Sequence, residues 1–235
     1  MSPFRRIQYF LKFLSDKAAF IKAGGLIAHN YPILDDYKKQ AGTASGHYFH
    51  QDLLVATFVN KANPMRHIDV GSSIDGFVAH VASYRSIEVF DIRPLTIIGH
   101  EQIKFVRGNL MELDNSLIES CDSLSCLHAL EHFGLGRYGD PIDPNGHLKG
   151  FSNLHKMLKK DGLLYISFPI GDSGVHFNAH RVFDPEAVIE WGKDKFELVR
   201  FDYVDDTGDL HCNVSLPSVP NLTYGCGIYT LRKTL

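Results

Sequence analysis

The chain alternates short apolar runs with longer stretches in which apolar residues recur at helical spacing. The runs at 66–71, 86–91, 103–108, 122–127 and 162–168 have strand length and β-branched content, and the segments near 50–62, 74–83, 110–119 and 147–160 predict helices. Strands and helices that alternate in this way form a parallel sheet covered on both faces. Beyond them the pattern predicts a helix near 184–194 and two late apolar runs, FELVRFDYV and YGCGIYTLRK, forming a terminal hairpin on the sheet edge. Ahead of the sheet, Ile7, Phe10, Leu11, Leu14, Ala18 and Ile21 repeat at helical spacing up to the breakers Gly24 and Gly25.

The expected organisation is one structural domain, with residues 1–50 as a helical cap or lid and 51–235 as the sheet-bearing part. On the N-terminal helix Arg5, Arg6, Lys12, Lys17 and Lys22 outnumber Asp16. Two readings stand open there: a helix packed on its own domain, or residues 3–22 resting on an anionic membrane surface. The segment lacks the small-residue cleavage site of a secretory signal, and no span reaches the length of apolar chain needed to cross a bilayer.

The most informative stretch is HIDVGSSIDG, residues 67–76, followed by EVFD ending at Asp91. A strand running into a turn of Gly71, Ser72, Ser73 and Gly76 lets a ligand approach the backbone, and an acid ending the next strand can hold two ribose hydroxyls. The middle position of the turn is Ser73 where a dinucleotide fold has glycine, which disfavours NAD. A turn flanked by Asp69 and Asp91 suits a ligand with a ribose and a positive centre but no pyrophosphate. S-adenosylmethionine is such a ligand.

Composition narrows the alternatives. At 44% hydrophobic and 22% charged, 235 residues supply one full core. A net charge of −3 argues against general nucleic-acid binding, which needs a concentrated basic surface. The four cysteines form no CxxC pair, so neither a disulfide framework nor a zinc ribbon is implied, and a reducing cytoplasm is the expected setting. A place on the inner face of the membrane would follow only if the basic N-terminal helix lies on lipid.

The ordered set HIDVGSS, EVFD, RGNLMEL, DSLSCLHALEH and LLYISFP resembles the class I S-adenosylmethionine-dependent methyltransferases over residues 48–235. More narrowly, GHYFHQDLLVA, GLGRYGDPIDPNGHLKG and FNAHR resemble a branch of that superfamily carried as a domain of unknown function and associated with surface-glycan genes. The resemblance implies an α/β, Rossmann-like fold whose mostly parallel seven-stranded sheet ends in an antiparallel strand. It places the cofactor across the C-terminal ends of the first strands. Carried over by position, Gly71, Ser72, Ser73 and Gly76 would line the methionine and ribose, Asp91 would accept from the ribose, and Asn109 and Leu110 would meet the adenine. His128 would close the pocket. Asp69 either braces the turn or touches the ligand, and Tyr48 to Asp52 either cap the methionine end or start a helix.

A second constellation is His128, Glu131 and His132, whose i, i+3, i+4 spacing brings them together if a helix begins there. They resemble the ExxEH element of metal-dependent O-methyltransferases, with His128 in place of the first Glu. His180, with His176 beside it, would complete a shell suited to zinc, manganese, iron or cobalt rather than magnesium. The metal-free alternative makes His132 or His180, with Glu131 nearby, the base that takes the proton of a substrate hydroxyl.

Two polar loops stand where a substrate would enter. Residues 134–146 bring Arg137, Tyr138 and Asp140, and residues 171–181 bring His176, Asn178 and Arg181, a set suited to a hydroxyl-rich ligand with an anionic group. The expected activity is therefore methyl transfer from S-adenosylmethionine to a hydroxyl of a sugar, nucleotide sugar or glycan intermediate, in a small-molecule enzyme that binds no nucleic acid. The rival from another class is a catalytically inactive scaffold with the same fold. An NAD-linked sugar enzyme is weakened by Ser73 and by the lack of a convincing Tyr-x-x-x-Lys pair.

Overall fold

The computed structural model describes residues 2–96 and 99–234, which form two units, Met1–Ala44 and Ser45–Leu235. In the first unit, helix α1 (Pro3–Lys22) begins where Ser2 Oγ accepts from the Arg5 backbone N–H and Pro3 takes a position that needs no donor. It ends where Gly24 adopts φ +91° and the Gly25 N–H returns to the Phe20 carbonyl. No residue of α1 is buried, and Ile7, Leu11 and Ile21 of its apolar stripe are more than half exposed. Among the described residues no helix is long and apolar enough to cross a membrane.

The second unit is built on one sheet. Strands β1 (His67–Val70), β2 (Ile87–Asp91), β3 (Ile103–Arg107), β4 (Cys121–Leu127) and β5 (Leu158–Gly171) pair in parallel in the order β3-β2-β1-β4-β5. A small hairpin of β6 (Gly174–His176) and β7 (His180–Val182) follows. The sheet then continues through β8 (Phe196–Val204), β9 (Leu210–His211) and β10 (Tyr224–Lys233) in the order β5-β10-β8-β9. Strand β10 is antiparallel to both neighbours, and the two-residue β9 adds an eighth strand to the seven expected. The two late runs do pair with each other, but β10 slots between β5 and β8 instead of lying outside them.

Helices α2 (His47–Ala62), α3 (Ala79–Ala82), α4 (Gly146–Met157) and α5 (Ala187–Trp191) complete the unit. Side chains alternate across the sheet: on β5, Leu164 and Ile166 enter a cluster with Leu154 of α4 and Val188 of α5, whereas Tyr165 enters one with Val55 and Val59 of α2. Both faces are therefore buried, as the near-continuous apolar strands require.

Three helical expectations are corrected. The segment 110–119 forms only a single 3-10 turn at Asn115–Leu117, because Asn109 and Asp114 side chains accept from the Met111 and Ser116 backbone N–H groups and close local turns instead. The helix expected at 74–83 opens as a wide turn, Ile74–Val78, in which Gly76 leaves helical geometry. The one near 184–194 shortens to α5, which stops at Gly192.

Candidate active site

The C-terminal ends of β1, β2 and β4 open into a cleft of about 200 Å³. Its floor is the β1 turn. Gly71 sits at φ +79°, and a Cβ there would lie 2.8 Å from the Ala129 Cβ, so only glycine permits both the turn and the approach of the β4 loop. Asp69 is fully buried and accepts from the Ser72 N–H (3.1 Å), Ser72 Oγ (2.7 Å) and Ser125 Oγ (2.6 Å). Burial pushes its pKa up to about 6 against the pull of those hydrogen bonds.

Asp69 and Ser72 thus brace the turn and lie outside the cleft wall, whereas Gly71 and Ser73 line it. Gly76 is also outside the wall. A Cβ on Gly76 would meet Asp52 Oδ2 at 2.7 Å, so this glycine makes room for a buried carboxylate. Of the two roles open to Asp69, these hydrogen bonds describe the bracing one, and Ser72 lines a shallower depression beside the cleft together with Ser73, Asp91 and Arg93.

Asp91 reaches the cleft from the end of β2 and is 7% exposed, but Arg93, two residues on, is folded onto it. The Arg93 guanidinium donates through Nε to both carboxylate oxygens (3.0 Å each) and through a terminal nitrogen to Asp91 Oδ2, and it also donates to the Gly71 carbonyl (2.9 Å). The Arg93 backbone N–H adds a fourth contact to Asp91 Oδ1 at 2.7 Å. The acid expected to hold a ribose is thus latched by its own arginine. Asn109 and Leu110 line the cleft next to it, with Asn109 Oδ1 held by the Met111 N–H.

Three histidines, His128, His132 and His180, also line the cleft. His128 follows β4 with φ +50°, a left-handed conformation that a non-glycine residue adopts at a cost and that is held here by its N–H bond to the Ser167 carbonyl (3.0 Å). Its Nδ1 lies 2.8 Å from Glu131 Oε1, and its Nε2 lies 3.2 Å from Nδ1 of His47. Burial opposes charging of His128, yet Cys226 and Glu131 together hold its pKa well above the ordinary value. His47 is pushed down to about 4, by burial first and then by His128. Glu131 is 1% exposed, and its Oε2 is buried with no hydrogen-bond partner.

His132 is arranged differently. Its Nδ1 lies 2.6 Å from the Ala179 carbonyl, an atom that can only accept, so Nδ1 carries the proton and Nε2 keeps a lone pair. Burial lowers its pKa, which keeps the ring neutral. His180 also lines the cleft, stacked against His176 at 5.0 Å between ring centroids and tilted against Tyr224 at 5.2 Å. Burial and then His176 lower its pKa.

Of the loop residues, Arg137, Tyr138 and Asp140 line the cleft. Asp140 spends its carboxylate on the Gly134, Gly136 and Tyr138 N–H groups, and Arg137 donates to the Ala179 carbonyl, so both also fix the loop. His176 and Asn178 lie on the β6–β7 hairpin outside the cleft wall, with Asn178 at φ +67° in its turn. Arg181 is 4% exposed, does not line the cleft, and donates to the Glu131, Phe133 and Pro144 carbonyls, so it braces the loops.

Four residues of this region were not singled out from the sequence: His47, Arg93, Tyr224 and Cys226. Arg93 had a local signal, since a cation two residues after a strand-terminal acid can fold back on it. The other three come together only through α2 and the antiparallel β10, and no local pattern marks that.

Residues 102–190 match a family described as Caenorhabditis protein of unknown function, DUF268. No curated protein sequence matches the chain. Among solved structures, the 1,6-didemethyltoxoflavin-N1-methyltransferase of Burkholderia thailandensis, solved with 1,6-didemethyltoxoflavin and S-adenosylhomocysteine, is similar over 100% of this chain and 93% of its own, with 16% identity and a TM-score of 0.56. The N-methyltransferase NodS of Bradyrhizobium japonicum WM9, in complex with S-adenosylhomocysteine, covers 88% and 93% at 14% identity and a TM-score of 0.54. The 4+2 cyclase SpnF covers 98% and 96% at 13% identity and 0.58. The fold is therefore the Rossmann-like α/β fold of class I methyltransferases, with a mostly parallel sheet and antiparallel pairing toward one edge.

Proposed function

We propose that the chain is an S-adenosylmethionine-dependent methyltransferase acting on a small-molecule hydroxyl, with a sugar, nucleotide sugar or glycan intermediate as acceptor. The observation that carries this reading is the cleft itself, which is lined by Gly71, Asp91 and Asn109 together with the neutral His132 imidazole. S-adenosylhomocysteine bound in two solved structures of the same fold supports the choice of cofactor. Asp91 would accept from the ribose hydroxyls once Arg93 has swung away. His132 Nε2 would take the acceptor proton as the new O–C bond forms and the C–S bond breaks, releasing S-adenosylhomocysteine. His180, which also lines the cleft, is the second candidate for that proton.

A sugar is favoured by the polar rim of Arg137 and Tyr138 and by the glycan association that the sequence resemblance implies. The latch on Asp91 gives substance to one other reading, a scaffold whose cofactor site no longer opens. Calorimetry against S-adenosylmethionine, S-adenosylhomocysteine and NAD separates these readings. The first two ligands are expected to bind and NAD is not; no heat with any of the three, in a folded protein, would overturn the enzyme reading. A panel of sugar and amine acceptors then tests the acceptor atom, since the two methyltransferases named above are described as acting at nitrogen.

A further inference from the structure

His47, at the start of α2, His128, after β4, and Cys226, on β10, are 179 residues apart at their extremes in the chain, yet their donor atoms lie within 4.8 Å of one another. We infer that these three side chains form a binding site for a single transition-metal ion, with zinc the first candidate, in the wall of the cofactor cleft. The site is distinct from the His128, Glu131, His132 and His180 set read from the sequence. In that set His132 Nδ1 is taken by the Ala179 carbonyl, Glu131 Oε1 by His128, and His180 packs on His176 and Tyr224.

Geometry supports the assignment first. Two imidazole nitrogens about 2.0–2.1 Å from one ion at a tetrahedral angle stand roughly 3.3 Å apart, and their ring centroids about 5 Å apart. His47 Nδ1 and His128 Nε2 are 3.2 Å apart, and their centroids 5.2 Å. A direct hydrogen bond between the rings gives a similar separation, so the pair alone decides nothing. The third donor does. A thiol has no role in an imidazole–imidazole hydrogen bond, but Cys226 Sγ is buried and lies within 4.8 Å of both nitrogens, with Gln51 Oε1 3.9 Å from it on another side.

A second, independent feature points the same way. The ring nitrogens of His128 are divided between two tasks: Nε2 faces the proposed site, while Nδ1 is held by the buried carboxylate of Glu131 at 2.8 Å. A carboxylate on the far nitrogen of a ligating histidine fixes the ring and makes it a better donor, and such partners accompany most metal-bound histidines. The second imidazole, His47, stacks on the Tyr224 ring at 5.4 Å between centroids. Two imidazoles and a thiolate select zinc, cobalt or a similar ion over magnesium or calcium, and the thiol proton of Cys226 is released to solvent when the ion binds. Three protein donors leave one position of a tetrahedron for water or for an oxygen, nitrogen or sulfur of an acceptor. His128 and the flanking Tyr48 and Tyr224 all line the cleft.

The test uses the full chain without S-adenosylmethionine, so a negative result leaves the methyltransferase reading standing. Protein stripped with chelator, reloaded with zinc or cobalt and passed through a desalting column is expected to retain one equivalent by elemental analysis. The cobalt form should show the strong visible bands of a tetrahedral site and a thiolate charge-transfer band. Cys226→Ser should abolish that band and His47→Ala should lower the stoichiometry, while His180→Ala keeps both. Cys212→Ser, which removes the exposed thiol, should also keep both and gives a reading even if Cys226→Ser fails to fold. No retained metal in the wild type, no thiolate band, a band lost with Cys212, or full retention in folded His47→Ala would each overturn the site.

Discussion

Removing the Arg93 side chain should tighten cofactor binding. Its guanidinium donates to both oxygens of Asp91 and to the Gly71 carbonyl, and the Asp91 oxygens are the acceptors the proposed ribose would need. The backbone N–H of Arg93 stays on Asp91 Oδ1 whatever the side chain does, so only the side-chain bonds compete with ligand. Hydrogen bonds to a charged group contribute about 1.5–3 kcal/mol when buried and exposed ion pairs about 0.2–1 kcal/mol. Asp91 is 7% exposed and the Arg93 side chain 41%, which places the cost of opening the latch near ~1 kcal/mol. Arg93→Ala should then bind S-adenosylhomocysteine about fivefold more tightly. Asp91→Ala should bind it about 1.5–3 kcal/mol more weakly, because it loses the acceptor itself. The double variant should match Asp91→Ala, since an arginine with no carboxylate to cover competes with nothing. Titration calorimetry on the four proteins closes this cycle. If Arg93→Ala weakens binding as much as Asp91→Ala, the arginine is a ligand contact and the latch argument is wrong.

Arg181→Met should lower folding stability by about 2–4 kcal/mol in urea titrations, because three carbonyls lose a buried charged donor, while affinity per folded molecule stays unchanged. A surviving melting temperature paired with lost affinity would restore Arg181 to the binding site. His132→Ala should cut kcat roughly 10²–10⁴-fold with cofactor affinity kept, and the wild-type rate should fall at acid pH as Nε2 takes a proton; an unchanged rate would move the role to His180. His67 is 2% exposed and burial pushes its pKa down to about 3, so the unfolded chain binds a proton that the folded one refuses. Its neutral form is compatible with folding above the unfolded value near 6.5, and below that it costs about 1.4 kcal/mol per pH unit. Asp69 acts in the opposite direction, since its raised pKa of about 6 relieves a penalty as pH falls. The stability gap between wild type and His67→Asn should therefore close or reverse between pH 6.5 and 4.5, and a pH-independent gap in chemical denaturation would refute the assignment.

The sheet was legible because its strands are buried on both faces and read as apolar runs. Ile68 and Val70 on β1 and Leu164, Ile166 and Phe168 on β5 need no partner to identify them. What the pattern missed has a local cause in each case. The 3-10 turn at Asn115–Leu117 replaced a helix because Asp114 offers its carboxylate to the Ser116 N–H, a competition that apolar periodicity does not register. Of the turn residues, Gly71 and Ser73 face the cleft while Ser72 between them does not, and that alternation depends on Gly71 at φ +79° and on Asp69 drawing Ser72 inward.

The polar side of the site divides along the same line. Asp91, Glu131, His128 and His132 were identified because spacing or position at a strand end marks them. His47, Tyr224 and Cys226 were not, because they meet His128 only after β10 has entered between β5 and β8 with reversed direction. That entry puts the N-terminal end of β10 beside the C-terminal ends of the parallel strands. Had the two late runs formed a hairpin outside β5 with β8 as its inner strand, Cys226 would stand one strand farther from His128. The antiparallel insertion therefore does more than close the sheet: it supplies a thiol and an aromatic ring to the wall where the chemistry is proposed. The cluster contains a carboxylate oxygen without a partner and a histidine held at positive φ, both of which cost stability. An apolar residue in place of Glu131 would avoid the first cost and glycine in place of His128 the second, so packing and backbone geometry alone do not account for either side chain.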